Sequence, residues 1–149
     1  MNITITKNHI SIMKREVLSV YNERYYIIIA LFSLLLIASI IWSIKKKSIK
    51  IYTFLCLIPI IFSLFLIIRN IRITNEFFAI YSDYDVMTVD YKIEDDSLLI
   101  NNITRDYQNI IEGKTIKNII YKDHTILIYT IDGITYTMPN CMNLDDLLK

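Results

Sequence analysis

Glycine and proline are nearly missing from this chain, with two of each in 149 residues. That scarcity argues against disordered linkers, which draw heavily on both. Cysteine is equally sparse. Cys56 lies inside an apolar run and Cys141 near the C-terminal end, with no CxxC, so no disulfide framework or zinc site is implied. The only histidines, His9 and His124, are distant in sequence and have no partner at ligand spacing, and no base–nucleophile constellation surrounds them. No GxSxG, phosphate-cradling glycine loop or HExxH occurs. The expectation is a protein that is not an enzyme, with no catalytic, cofactor-binding or metal-ligating residues and no cofactor.

Charge is missing from two long blocks, Tyr25–Ile44 and Ile51–Ile68. At about 1.5 Å per residue the first spans roughly 30 Å, the thickness of a bilayer's hydrocarbon core. The second is near the lower limit for a spanning helix. Two buried core helices would need a soluble shell larger than the rest of the chain can supply. A signal peptide has a shorter apolar core with small residues at its cleavage site, whereas the first block ends in Trp42-Ser43-Ile44 and then three lysines. Tyr25, Tyr26, Trp42 and Tyr52 mark the block ends, where amphipathic rings favour the headgroup level. The spacing predicts transmembrane helices over 25–44 and 51–69, joined by a basic loop over 45–50. So short a loop demands an antiparallel hairpin with both termini on one side.

The net charge of +1 hides an asymmetry. Residues 1–69 hold nine Lys/Arg and two Asp/Glu, and residues 70–149 hold seven and thirteen, for nets of +7 and −6. The basic residues flank the apolar blocks and suit anionic headgroups. The acidic part is a poor binder of nucleic acid or anionic lipid, and its charge is read first as a solvated surface. Orientation is balanced. Lys14, Arg15, Arg24, Arg69 and Arg72 lie on the terminal side, against Lys45, Lys46, Lys47 and Lys50 in the loop.

In the N-terminal segment, 1–24, Ile3–Thr6 alternates like a short strand. Ile10, Met13, Val17, Val20 and Tyr21 then follow helical spacing, with Lys14, Arg15 and Glu16 off that face. This stretch is either an interfacial helix or an extension of the first span. Pro59 predicts a tolerated kink in the second span. A broken-helix transport site needs repeats and many more spans, and neither block holds an intramembrane charge. The region 70–149 predicts about five antiparallel strands, drawn from the runs 86–93, 98–103, 107–111, 115–121, 124–130 and 134–138. Asp132-Gly133 signals a type I′ hairpin. Asn143 is placed to cap a terminal helix over 144–148, with Asp145 and Asp146 in its first turn. The acidic run Asp83, Asp85, Asp90, Glu94, Asp95 and Asp96 lacks the spacing of a twelve-residue calcium loop, and turn chemistry accounts for Glu94–Ser97. Asn102-Ile103-Thr104 fits a glycosylation sequon, of consequence only in a secreted eukaryotic domain.

Two early spans, then the phrases Gly113–Asp123, Ile126–Thr130 and Tyr136-Thr137-Met138-Pro139 before a last helix, resemble the YcxB-like proteins. These are small bacterial membrane proteins whose C-terminal part is similar to a bacterial PH-like domain. The layout covers about residues 25–149 and the phrases 113–148. Asn140-Cys141-Met142 replaces the basic or small residues usual after the proline. The composition, rich in Ile, Lys, Asn and Tyr, fits an AT-rich genome. The resemblance carries no activity and no site residues. It implies a membrane α+β chain: a transmembrane hairpin, then an acidic PH-like β domain over 70–149 with a C-terminal helix. It also implies a multi-pass protein of the cell membrane with the domain in the cytoplasm. Some bacteriocin-immunity proteins share this layout, so self-protection against a toxin is one role it allows. The expected partners are the lipid bilayer and a protein or peptide, not nucleic acid. The expected function is a non-enzymatic interaction module at the membrane. The other reading is an accessory subunit of a transporter or channel complex, with Ser33, Ala38, Ser39 and Ser63 as small contact points between spans.

Overall fold

The computed structural model describes residues 1–46, 51–79, 81 and 83–148, so most of the basic 45–50 loop lies outside the described residues. The chain divides into two compact units. One comprises 1–17 and 78–149, and the other comprises 18–77.

The helical unit is built from α1 (Lys7–Lys46), α2 (Ile51–Leu55) and α3 (Leu57–Ala79). Both α1 and α3 are longer than the apolar blocks. Residues 7–24 are not a separate helix but the N-terminal part of α1, continuous with the first apolar block. Beyond 69, α3 continues because its polar groups find partners. Arg72 Nε donates to Glu76 Oε1 at 2.9 Å across one turn, and Asn70 reaches the facing helix. The kink expected at Pro59 appears as a break at Cys56. Proline has no N–H for the carbonyl four residues earlier, which belongs to Leu55, the last residue of α2. Pro59 thus sits in the first turn of α3, where its missing donor costs nothing.

Polar and small side chains line the seam between these helices. Asn70 Nδ2 donates to Asn22 Oδ1 at 2.9 Å, and Asn22 is 1% exposed. Ser39 and Thr53 share a hydroxyl hydrogen bond of 2.7 Å. Ser43, Ser63 and Thr74 are buried as well, with Tyr25 and Ile67. Of the expected small contact points, Ser39 and Ser63 face the seam, Ser33 is half-buried and Ala38 is exposed. The outside is apolar: among the described residues, twenty-one large hydrophobic side chains of this unit are exposed, Ile27, Leu34, Ile44, Ile61 and Ile68 among them. The most apolar windows of the two long helices are only 6% and 11% buried. Neither is therefore a core helix of this chain.

The other unit holds two antiparallel sheets. The first has the order β1 (Asn2–Thr6), β2 (Val86–Glu94), β3 (Ser97–Asn102), β4 (Tyr107–Glu112). The second has the order β5 (Ile116–Tyr121), β6 (Thr125–Thr130), β7 (Thr135–Pro139). The runs read from sequence match β2 to β7 within one or two residues. The seventh strand comes from the N-terminal segment, which sequence placed apart from the β domain. β1 pairs with β2, Ile3 opposite Val89 and Ile5 opposite Met87, because its alternating isoleucines supply one more core face. Alternation along β2 and β3 turns Met87, Val89, Tyr91 and Leu98 inward. They meet Ile116, Ile119, Ile126, Ile128 and Met138 of the second sheet, and Leu144 and Leu147 close the core.

The last element is a 3-10 helix over Asp145–Leu148 rather than a full α-helix. Asn143 Oδ1 accepts from Asp145 N at 2.9 Å, so the side chain acts as the cap expected of it. The turns exchange roles relative to expectation. Type I′ geometry belongs to Asp95-Asp96, both with positive φ, in the two-residue loop joining β2 to β3. At the other hairpin only Gly133 has positive φ. Gly133 N donates to Thr130 O and Thr130 N donates to Ile134 O, which makes a three-residue loop with glycine in the left-handed position.

Candidate functional site

The two histidines do not meet. His9 caps the start of α1, where its backbone N–H approaches Thr6 Oγ1 and its Nδ1 faces Thr6 N, at 3.5 and 3.4 Å. His124 lies in the β5–β6 turn as expected, yet it has a partner that sequence reasoning missed. The Glu16 carboxylate accepts from its backbone N at 3.2 Å and lies 3.0 Å from Nδ1. Glu16 is mostly buried at 15% side-chain exposure. Burial opposes its ionisation, but the Thr125 hydroxyl, the His124 ring and the His124 N–H outweigh it and hold the pKa below the ordinary 4.5. Met13 and Val17, on the same helical face, are buried too. β6 is buried on both faces, and Leu127 is fully enclosed. The first turns of α1 therefore cover the outer face of β6. Glu16 belongs to the packed face, not off it. The signal was available in its spacing, three residues after Met13, but a carboxylate surrounded by Lys14 and Arg15 looks solvent-facing until its partner 108 residues away is known.

The acidic run is dispersed by the fold. Asp85 forms an ion pair with Lys7 at 2.6 Å, and that hydrogen bond and charge lower the Asp85 pKa. Glu94 pairs with Lys92 at 3.1 Å. Asp95 and Asp96 make the β2–β3 turn. Among the described residues no group of three or more His, Cys, Asp or Glu is arranged to hold a metal ion. Asn102 of the sequon is buried, and both ends of its side chain are engaged. Its Nδ2 lies 3.0 Å from Met87 Sδ, and its Oδ1 accepts from Arg105 N at 3.1 Å. Cys56 and Cys141 are both free thiols. Burial raises the pKa of Cys141, and burial also raises that of core Tyr91, leaving both protonated at neutral pH.

What remains open is the edge of the first sheet at β4. Tyr107, Gln108, Ile110 and Glu112 are exposed, and only Ile111 turns fully into the core. A groove of about 400 Å³ adjoins the end of this strand, lined by Asp95, Asp96, Ile110, Glu112, Lys114 and Leu147. Gly113 forms its floor. Gly113 N donates to Asp96 O at 2.8 Å, and a Cβ here would stand 2.6 Å from the same oxygen, so no larger residue fits without moving the turn. This surface offers hydrogen-bonding backbone, apolar patches and carboxylates. Ser97 also lines it, with its hydroxyl donating to Asp95 O at 3.4 Å.

No family model matches the chain, and neither a curated protein nor a solved structure does.

Proposed function

We propose that the chain is an integral protein of the cell membrane in which 18–77 form a transmembrane hairpin. The hairpin anchors a non-enzymatic, PH-like β module that binds a protein or peptide partner on the cytoplasmic side. The observation that carries this reading is the inverted polarity of the helical unit. Its amides and hydroxyls face each other while, among the described residues, twenty-one large apolar side chains face outward. Burying one such side chain is worth about 1.5–3 kcal/mol, so leaving them in water would cost on the order of tens of kcal/mol, and hydrocarbon relieves that cost. The two hydrogen-bonded pairs are equally spaced in sequence on the two sides of the seam, from 22 to 39 on α1 and from 53 on α2 to 70 on α3. The seventeen residues of α1 between them cover about 25 Å, so the pairs bracket a length comparable with the hydrocarbon core.

The PH-like part of the reading rests on the arrangement of four strands followed by three, with a C-terminal helical turn closing the core. It also rests on the resemblance to YcxB-like proteins, which favours a cytoplasmic domain and allows a role in toxin immunity. The test is extraction of membranes with alkaline carbonate, combined with a topology reporter after Lys149 and cysteine labelling within 45–50. The expected result is retention in the pellet with the reporter on the cytoplasmic side. Release of monomeric chain into the supernatant would refute the anchor. The immunity role predicts that expression protects a sensitive strain against one bacteriocin, and protection by a variant that no longer inserts would count against it.

A further inference from the structure

Four strands stand at sheet edges, and they differ in how open they are. β5 is flanked by the C-terminal segment: Leu144 N donates to Tyr121 Oη at 2.8 Å, and the Tyr121 hydroxyl reaches Asn143 and Asp145 at 3.1 and 3.0 Å. β7 is half-buried or buried along its length and ends in Pro139, which has no N–H to offer. β1 is five residues long, carries no exposed large apolar side chain and leads straight into α1 at Lys7. β4 alone combines an open edge with exposed apolar side chains, Tyr107 at 59% and Ile110 at 57%.

The backbone of β4 shows what it lacks. Ile110 N–H is met only by the side chain of its own neighbour, Asn109 Oδ1, at 2.9 Å. That N–H therefore points away from β3, toward the position a further strand would take. Leu99 stands opposite Ile110 in the β3–β4 register, giving an apolar pair on the same face. At the C-terminal end of the strand the groove adds charge. Glu112 is paired with Lys114 at 2.7 Å, whereas the Asp95 and Asp96 carboxylates meet no cation among the described residues. The far end is balanced by Arg105 beside Asp106. The edge thus exposes apolar side chains at Tyr107 and Ile110, with Gln108 and Asn109 between them, and is net negative at one end.

We propose that β4 is the docking strand of the module and that its occupant is an extended peptide segment, apolar at alternate positions and basic at the end beside Glu112. The segment adds to the first sheet as a fifth strand, takes the Ile110 N–H from the Asn109 side chain, and places a lysine or arginine against Asp95 and Asp96. This rests on the reading of the β unit as a polypeptide-binding module. The carbonate and reporter experiments judge the anchor separately from the edge.

The test uses the full chain in lipid nanodiscs. The probes are a fluorescent peptide of alternating valine and threonine ending in two lysines, and its counterpart ending in two glutamates. The expected result is binding of the basic peptide at least about tenfold tighter than the acidic one, the factor that about 1.4 kcal/mol supplies, together with slowed hydrogen exchange at the Ile110 amide. Ile110→Pro removes the outward N–H without touching the β3–β4 ladder, and should weaken the basic peptide about tenfold or more. A second variant, Asp95→Asn with Asp96→Asn, keeps residues that tolerate positive φ. It should abolish the preference for lysine. The proposal is overturned by equal affinity for the two peptides, by undiminished binding in folded Ile110→Pro, or by failure of the basic peptide to bind inserted chain.

Discussion

Replacing Ile5 with alanine separates an N-terminal appendage from an integral strand. Ile5 is 5% exposed, lies opposite Met87 in the β1–β2 register and belongs to the main core. A buried isoleucine cut to alanine loses its transfer energy and leaves a cavity, typically about 2–5 kcal/mol together. An edge strand can relax inward, so about 2–3 kcal/mol is the expected cost here. The unit concerned covers 1–17 and 78–149, and for a domain of this size each kcal/mol moves the midpoint by about 4–8 °C. The near-UV circular dichroism melt of the detergent-solubilised chain should therefore shift down by about 8–24 °C. Thr4, exposed on the opposite face of the same strand, supplies the control. Its alanine variant should stay within about 0.5 kcal/mol of the parent. Hydrogen exchange over 86–94 should accelerate in Ile5→Ala and not in Thr4→Ala. Equal melts for the two variants would refute the placement of β1 in the sheet.

Gly113→Ala should destabilise the same unit by about 1–3 kcal/mol, because its Cβ collides with backbone rather than with a yielding side chain. Gly133→Ala meets nothing within 4 Å and should cost about 1 kcal/mol, from its positive φ alone. The Glu16 contact makes a pH prediction with a definite sign. Its folded pKa is lowered, so its contribution is fully present above about 4.5 and is lost as the pH falls through the folded value. Glu16→Gln should lower the midpoint at neutral pH and flatten the decline in acid, read from melts over pH 3–7; parallel curves would remove the basis for the effect. In a background free of Cys56 and Cys141, Ser39→Cys with Thr53→Cys should crosslink under mild oxidation, since the parent hydroxyls lie 2.7 Å apart. Ser39→Cys with Phe54→Cys should not, because Phe54 points outward at 61% exposure.

Much of this architecture was legible without coordinates, and the reasons are local. Charge-free runs of spanning length mark the two long helices, since such composition leaves few other folds. Period-two alternation locates β2 to β7, because one face of each strand must be apolar and a slip of one residue would invert it. Asn143 was legible as a cap because capping needs only the residue beside the helix start. The turn types were not. Asp95-Asp96 adopts the I′ conformation because the Glu94–Ser97 pairing demands it, while Asp132-Gly133, the stronger signal by composition, takes another form.

What only the tertiary structure decided involves partners far apart in the chain. Ile3–Thr6 becomes a sheet strand because β2, some eighty residues later, offers the matching register. Glu16 turns from solvent to the β5–β6 turn because the His124 N–H there supplies a donor. Asn22 and Asn70, unremarkable polar residues at the ends of apolar runs, become a buried pair only when the helices lie antiparallel. That the β5 edge is flanked while β4 stays open depends on where the C-terminal segment comes to rest. Hydrophobic pattern sets elements because it is read along the chain. Buried polar pairs and free edges are settled by what the finished fold leaves without a partner, and no single stretch of sequence contains that information.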